Sequence, residues 1–357
     1  MPRDMATLFA IATGQTNILR YDLFALPQHL RPLLSYWWHS APQRHRKITE
    51  AYATIIRTAT AEHQVLMQAA GVTNLAKHDG FRVLHRTDAA LAAALKSAEH
   101  LKEAYGVAYK AMTQQELLAA EPALKFGGVG GLHWLDPWPV SDPGALVQAY
   151  ADLFIRSGGT FVSGDAASLQ QTSGRGWRVA TDNGPMEAEH AVVALGPWSE
   201  RLMRGFGYDF PMVRKRGYHK HYRAPVTFNL PLMDAANGYL MAPMSRGLRI
   251  TTGAELTYHD APATPQQLER AQELAGDLIE LGAPVENAPW LGTRPCMPDM
   301  LPVIGEVARH KGLWMHFGHG HQGFTLGPTT GRMLAEMMDG ETPFIPAAPF
   351  RPERWTR

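Results

Sequence analysis

The sequence predicts an α/β protein, α+β overall, made of two domains that interrupt one another. Three observations carry this. Between Asp142 and Gly205 a helix, a hairpin and the wholly apolar strand "AVVAL" run into a glycine and a further helix, the order of a layered α/β unit. Between Val213 and Leu256 the segments "VRKRGYHKHYRA" and "GYLMAPMSRGLRITTGAEL" read as antiparallel strands. Beyond them "LPVIG" and "LWMHFGHGHQGFTLGPTTGRMLAEMM" return to strand, glycine turn and helix.

Taken in order, Ile48, Tyr52, Ile55, Ile56, Ala59, Leu66, Met67 and Ala70 recur at helical spacing and predict one long helix from His45 to Ala70. "GFRVLHR" reads as a strand. Asp88 opens a helix that ends near Gly106. Thr113 and Glu116 have capping-box spacing before a short helix stopped at Pro122. "GGVGGLHW" enters another strand. Asp142 as N-cap, Pro143 in the first turn and Gly158-Gly159 at the stop bound a helix, and "TFVSGD" follows as a strand. A hairpin turns at Asn183-Gly184, and "AVVAL" ends at Gly196 before the helix "WSERLMRGFG". Thr264-Pro265 starts a helix through Leu278. "GTRPCMPDMLPVIG" reads as a proline-punctuated loop entering a short strand, and Pro328 starts the last helix.

The whole chain bounds the function. With 357 residues, 45% hydrophobic and 19% charged, it is long enough for two domains with a sizeable core. A net charge of +1 without a long basic run gives no field for nucleic acid. One cysteine, Cys296, excludes an internal disulfide framework and fits a reducing, cytoplasmic compartment. No apolar stretch reaches 18 residues, and the apolar "MATLFAIATG" is short for a secretory signal. Peripheral contact with a membrane stays open.

Candidate chemistry gathers at glycine-marked turns. Gly196, Gly305 and the trio Gly318, Gly320 and Gly323 each let backbone approach a ligand closely. The trio spells G-x-G-x-x-G but lacks the second strand with an acidic residue that a dinucleotide fingerprint requires. Arg294, fixed between Gly292 and Pro295, is able to grip a carboxylate or to sit in an exposed ion pair. Tyr239 offers a phenol or a core ring. His316, His319 and His321, with His219 and His221 elsewhere, raise a metal site, against which no H-E-x-x-H pattern stands. No metal is expected, and Cys296 reads as a packed apolar residue.

"GTRPCMPDMLPVIG" followed by "GLWMHFGHGHQGFTLGPTTGRMLAEMMDG" resembles the C-terminal signature of FAD-dependent amine oxidoreductases, the D-amino acid dehydrogenase and glycine oxidase family. "DPGALVQAYADLFIRSGGTFVSGD", "HAVVALGPWSERLM" and "GYLMAP" fall in the same order as in that family. The resemblance implies a discontinuous Rossmann-like FAD-binding domain over 136–206 and 291–348. It implies an antiparallel-sheet substrate domain with helices over 20–135 and 207–290. By the same resemblance Ala166 contacts the adenine side of a noncovalent FAD, and Ala194, Leu195, Gly196 and Trp198 line the cofactor. Gly318, His319, Gly320, His321, Gln322, Gly323, Phe324 and Thr325 wrap its ring. Arg294 then holds the substrate carboxylate and Tyr239 assists it. The implied reaction is oxidative deamination of a D-amino acid to a 2-oxo acid and ammonia, with hydride passing to the flavin. Oxygen, a quinone or a redox protein takes the electrons onward.

The family also opens with a strand, a G-x-G-x-x-G turn and an acidic strand end, a βαβ unit that this sequence does not show; its early Gly14 stands alone. The FAD-binding domain is therefore expected to be incomplete at its N-terminus. Two alternatives remain open: an FAD-deficient remnant that acts as a binding module, and a histidine-cluster metalloenzyme.

Overall fold

The computed structural model describes Ile11 and residues 17–356, apart from Arg175 and His259. Except for Ile11, the apolar N-terminal stretch and Gly14 lie outside the described residues. β1 (Leu19–Tyr21) is followed by α1 (Leu26–His39), α2 (Pro42–Ile56) and α3 (Ala59–Ala70). Next come β2 (Phe81–His85), α4 (Asp88–Tyr105), β3 (Tyr109–Thr113), α5 (Gln114–Ala120) and β4 (Gly130–Trp134). α6 (Pro143–Arg156) leads to β5 (Gly164–Gln171), β6 (Trp177–Thr181), β7 (Gly184–Ala188) and β8 (Ala191–Val193). α7 (Ser199–Gly205) precedes the long β9 (Val213–Tyr222). Then follow β10 (Leu232–Asp234), β11 (Tyr239–Met244), β12 (Gly247–Thr251), β13 (Ala254–Leu256) and α8 (Gln266–Gly276). The last elements are β14 (Trp290–Cys296), β15 (Val303–Glu306), β16 (Leu313–Phe317) and α9 (Gly323–Met338).

The expected stop and start signals act through identifiable bonds. Asp142 Oδ1 accepts the Ala145 amide at 3.0 Å, with Pro143 opening α6. Thr113 and Glu116 close a reciprocal capping box on α5. α4 ends where Gly106 turns left-handed at φ +71°.

Several elements differ from expectation. The long helix breaks into α2 and α3 because Thr58 Oγ1 bonds back to the Ile55 carbonyl at 3.2 Å and meets Thr329 Oγ1 at 3.3 Å. Only the end of "TFVSGD" is strand: Phe161 is exposed, and β5 starts at Gly164. "GTRPC" is not a loop but part of β14. Pro295 is tolerated there because β14 pairs only with β9, as an edge strand. The last helix begins at Gly323, five residues before Pro328.

Ten strands form one mixed sheet in the order β1-β13-β9-β12-β11-β10-β2-β4-β3, with β14 beside β9. One face of it packs on α8, through Tyr218, Tyr222, Tyr239, Met241, Leu248 and Ile250 against Leu268, Ala271 and Ala275. Two three-stranded sheets, β15-β16-β8 and β5-β6-β7, carry the second core with Met203, Phe210 and Phe317. Among the described residues nothing pairs with the outer edge of β8, where Val192 is 42% exposed. β14 runs across the expected boundary at 290/291 as a member of the large sheet, and α2 and α3 pack against α9.

Candidate active site

Two turns meet at the end of β14. Cys296 bridges to His319, so the 318–322 turn lies against the strand. Gly318 and Gly320 have φ +83° and +62°, and a Cβ on Gly318 would come within 2.7 Å of Met297 Cγ, so this turn requires glycine. Arg214, the cross-strand partner of Pro295, donates through Nε to the Pro197 carbonyl at 2.9 Å. That bond holds the Gly196–Trp198 turn, which follows β8, beside β14. A Cβ on Gly196 (φ +56°) would meet nothing within 4 Å, so open ground lies in front of it.

The turn is pinned from beneath by neutral histidines. His316 Nε2 and His319 Nε2 lie 2.9 and 3.0 Å from Thr330 Oγ1, whose own hydrogen goes to the Leu326 carbonyl at 2.8 Å. A hydroxyl that donates once accepts twice, which fixes both imidazoles as Nε2–H donors. Burial drives them down to about 4 and about 3, His319 also through the neighbouring His316. A second pin acts on α9. Pro328 has no N–H for the carbonyl four residues back, Phe324, and His63 Nε2 takes that place at 3.0 Å. His63 Nδ1 in turn accepts from the Tyr150 hydroxyl at 2.9 Å. No side chain caps the N-terminus of α9, so its first amides are free to face a ligand.

Arg294 lies two residues before the Cys296–His319 bridge. Its guanidinium lies over Gly217 and donates to the carbonyls of Gly253 and Thr252 at 2.9 and 3.2 Å. Among the described residues no carboxylate pairs with it. Burial pulls its pKa below the ordinary arginine value, only the Cys296 sulfur opposing. Desolvation, then Arg294 and Lys215, likewise hold down His321 on the turn, so guanidinium and turn share one environment.

Other expected residues lie elsewhere. Tyr239 packs with Tyr218 on the α8 face, whereas Arg294 lies on the Gly217 face, and its hydroxyl donates to Asp234 Oδ2 at 3.2 Å. The sheet thus separates Tyr239 from Arg294. Ala194 and Leu195 lead from β8 into the Gly196 turn, where Trp198 is exposed. Gln322, Gly323, Phe324 and Thr325 carry the 318–322 turn into α9. Ala166 sits in an irregular stretch of β5, in a separate sheet. Among the described residues no group of three or more His, Cys, Asp or Glu is placed to hold a metal. His316 and His319 are engaged by Thr330, and His221 bonds Glu286 at 2.7 Å.

Sequence reasoning passed over Trp290, Gly217, Thr330 and His63. One signal was present: Trp290, Gly292 and Arg294 recur at period two, the mark of one strand face.

Fold and site define a class, and comparison agrees: residues 24–337 match the family described as FAD dependent oxidoreductase, and the chain belongs to it. A D-amino-acid oxidase of Bradyrhizobium diazoefficiens is 29% identical over 93% of this chain and 79% of its own length. A D-amino acid dehydrogenase of Cereibacter sphaeroides is 30% identical over 84% of this chain and 71% of its own. The crystal structure of glycine oxidase from Geobacillus kaustophilus superposes with a TM-score of 0.73 at 25% identity, covering 89% and 84% of the two chains.

The residues fit the ring of the family's cofactor: open ground at Gly196, a glycine turn, uncapped amides of α9 and a desolvated guanidinium beside them. Among the described residues no second turn of the G-x-G-x-x-G kind is present for a pyrophosphate.

Proposed function

We propose that the chain oxidatively deaminates a D-amino acid, with Arg294 holding the substrate carboxylate. The observation that carries this is the state of Arg294: a cation partly withdrawn from water, satisfied only by two carbonyls, beside the turn that would carry the ring. A half-buried cation without an internal anion is suited to one brought by a ligand. The relatives named D-amino-acid oxidase and D-amino acid dehydrogenase support the same substrate class.

In this reading Gly318, His319, Gly320, His321 and Gln322 wrap the ring, with Ala194, Leu195, Gly196 and Trp198 facing it across β14. Gly323, Phe324 and Thr325 present the first amides of α9, and Ala166 contacts the adenine side. When bound, the flavin supplies the acceptor for the hydride that leaves the substrate's α-carbon. Arg294 contributes orientation, since two parallel N–H···O bonds fix the carboxylate and with it the direction of the α-hydrogen. The neutral His316 and His319 hold the turn without adding charge beside it. Water then converts the imino acid to a 2-oxo acid and ammonia.

The cofactor is held noncovalently: Cys296 is buried, and desolvation raises its thiol pKa, which leaves it a poor nucleophile. Acid precipitation should therefore release all flavin into the supernatant; flavin remaining on the pelleted protein contradicts this. Oxygen, a quinone or a redox protein accepts the electrons, distinguished by assaying turnover with each in place of the others. Among the described residues no helix is long and apolar enough to cross a membrane. Peripheral contact is supported by Leu30, Leu34 and Trp38, exposed on α1, with Arg44, Arg46 and Lys47 following.

The decisive experiment is Arg294→Leu, assayed with D- and L-amino acids in the presence of FAD. The expected result is D-selective turnover whose kcat/KM falls on the order of 10³-fold in the variant. Unchanged kcat/KM removes Arg294 from the substrate.

A further inference from the structure

We propose that Trp290 determines which amino acids the site takes, its indole forming the wall for the substrate side chain and favouring aromatic over small ones. This deepens the reading above and rests on Arg294 as the carboxylate anchor.

The argument starts from a pair of glycines. Gly217 on β9 and Gly292 on β14 are direct cross-strand partners. On the same sheet face a Cβ at Gly217 would collide with the Arg294 guanidinium, and one at Gly292 with the Trp290 ring. Both side chains therefore lie flat over the pair, approaching from opposite ends: Arg294 from two residues ahead of Gly292, Trp290 from two behind. Cross-strand partners sit about 5 Å apart. A carboxylate on the guanidinium thus places the substituent of its neighbouring carbon within reach of the indole.

The indole is prepared for that contact. Its ring stacks on His219, with centroids 4.6 Å apart and planes 22° from parallel, which fixes its orientation. It is nevertheless 59% exposed, a large apolar surface beside a desolvated cation. His219 stays neutral, chiefly because of burial and then because Arg249 lies near. Lys215, opposite Arg294, and Arg249 share this face with Glu286, which bonds His221, so the charge around the indole is mixed and the wall discriminates by apolar area. A flat apolar group gains most from such a wall, through buried area and ring stacking.

The test uses the full chain with FAD and two unreactive carboxylates, phenylacetate and acetate, whose dissociation constants are measured by calorimetry. Phenylacetate should bind 10- to 100-fold more tightly than acetate, a range on the order of one buried apolar contact. Trp290→Ala should abolish that advantage while leaving acetate unchanged, and Trp290→Phe should keep most of it. Turnover should follow, with the ratio of kcat/KM for D-phenylalanine over D-alanine falling in Trp290→Ala. A ratio unmoved by Trp290→Ala, with both probes still bound, overturns the role of Trp290 and leaves Arg294 standing. Failure of both probes to bind the unaltered chain, or equal binding by Arg294→Leu, overturns the anchor and the wall together.

Discussion

Two arginines of the large sheet, Arg216 and Arg294, stand on opposite faces and meet opposite fates. Arg216 is 2% exposed and has its anion built in: Glu255 lies 3.1 Å from Nε, and the terminal nitrogens donate to the Tyr218 hydroxyl and to the carbonyls of Ala261 and Pro262. Arg294 is half-buried, yet has only two carbonyls and no carboxylate among the described residues. Burial alone does not separate structure from function. The missing counter-charge does: an arginine whose anion is built into the protein holds the fold, and one whose anion is not built in waits for a ligand.

The largest effect should come from breaking the complete pair. Arg216→Leu leaves the buried Glu255 carboxylate with only the more distant Arg20 and two hydroxyls, and should cost about 3 kcal/mol in denaturant unfolding. A loss below about 1 kcal/mol would show that Glu255 finds water and that the two arginines differ less than they look. Arg294→Leu should do the reverse to stability, leaving the unfolding free energy level or higher because an uncompensated charge has gone. A destabilisation as large as that of Arg216→Leu would mean that the two carbonyls already satisfy Arg294.

The rule extends to neutral groups and gives smaller effects. His316 and His319 titrate at about 4 and about 3 in the folded protein, against 6.5 for an ordinary histidine. As pH falls below 6.5 the unfolded chain takes up these protons first, so stability present above 6.5 is lost progressively toward pH 4 to 3. The slope should be shallow above pH 6.5 and approach about 1.4 kcal/mol per pH unit for each histidine between pH 6 and 5, read from unfolding curves at pH 7, 6 and 5. His319→Phe should remove its share of that slope. A further effect is expected at the second pin. His63→Phe leaves the Phe324 carbonyl without its donor and should cost about 1–3 kcal/mol. Adding Pro328→Ala, which restores a backbone N–H, should recover part of it; a double variant no better than His63→Phe breaks this account of the helix.

Much of this was legible in the sequence, and the reason is local chemistry. Asp142-Pro143, Thr113 with Glu116, and Asn183-Gly184 act within a few residues, so their spacing is enough to place α5, α6 and the β6–β7 hairpin. Arg294 stood out because the glycine and proline near it mark a constrained backbone, but only the family resemblance gave it a carboxylate to hold. What stayed hidden depends on partners far along the chain. "GYLMAP" has apolar residues at alternate positions of both parities, so nothing local says which face Tyr239 takes; Asp234 and α8 decide it. Pro328 reads as a helix start because its cost inside a helix is local, while the compensating donor, His63, lies on a different helix. Trp290 reads as ordinary until Gly217 supplies the flat ground opposite Gly292.

That exchange between an imidazole and a missing amide also has a hereditary meaning. The ring on α3 serves a vacancy that a distant proline creates, so the histidine cannot drift while the proline stays without leaving a lone pair stranded in the interior. Lineages that keep the proline should keep a donor at position 63, and those that lose it are free to let the histidine go.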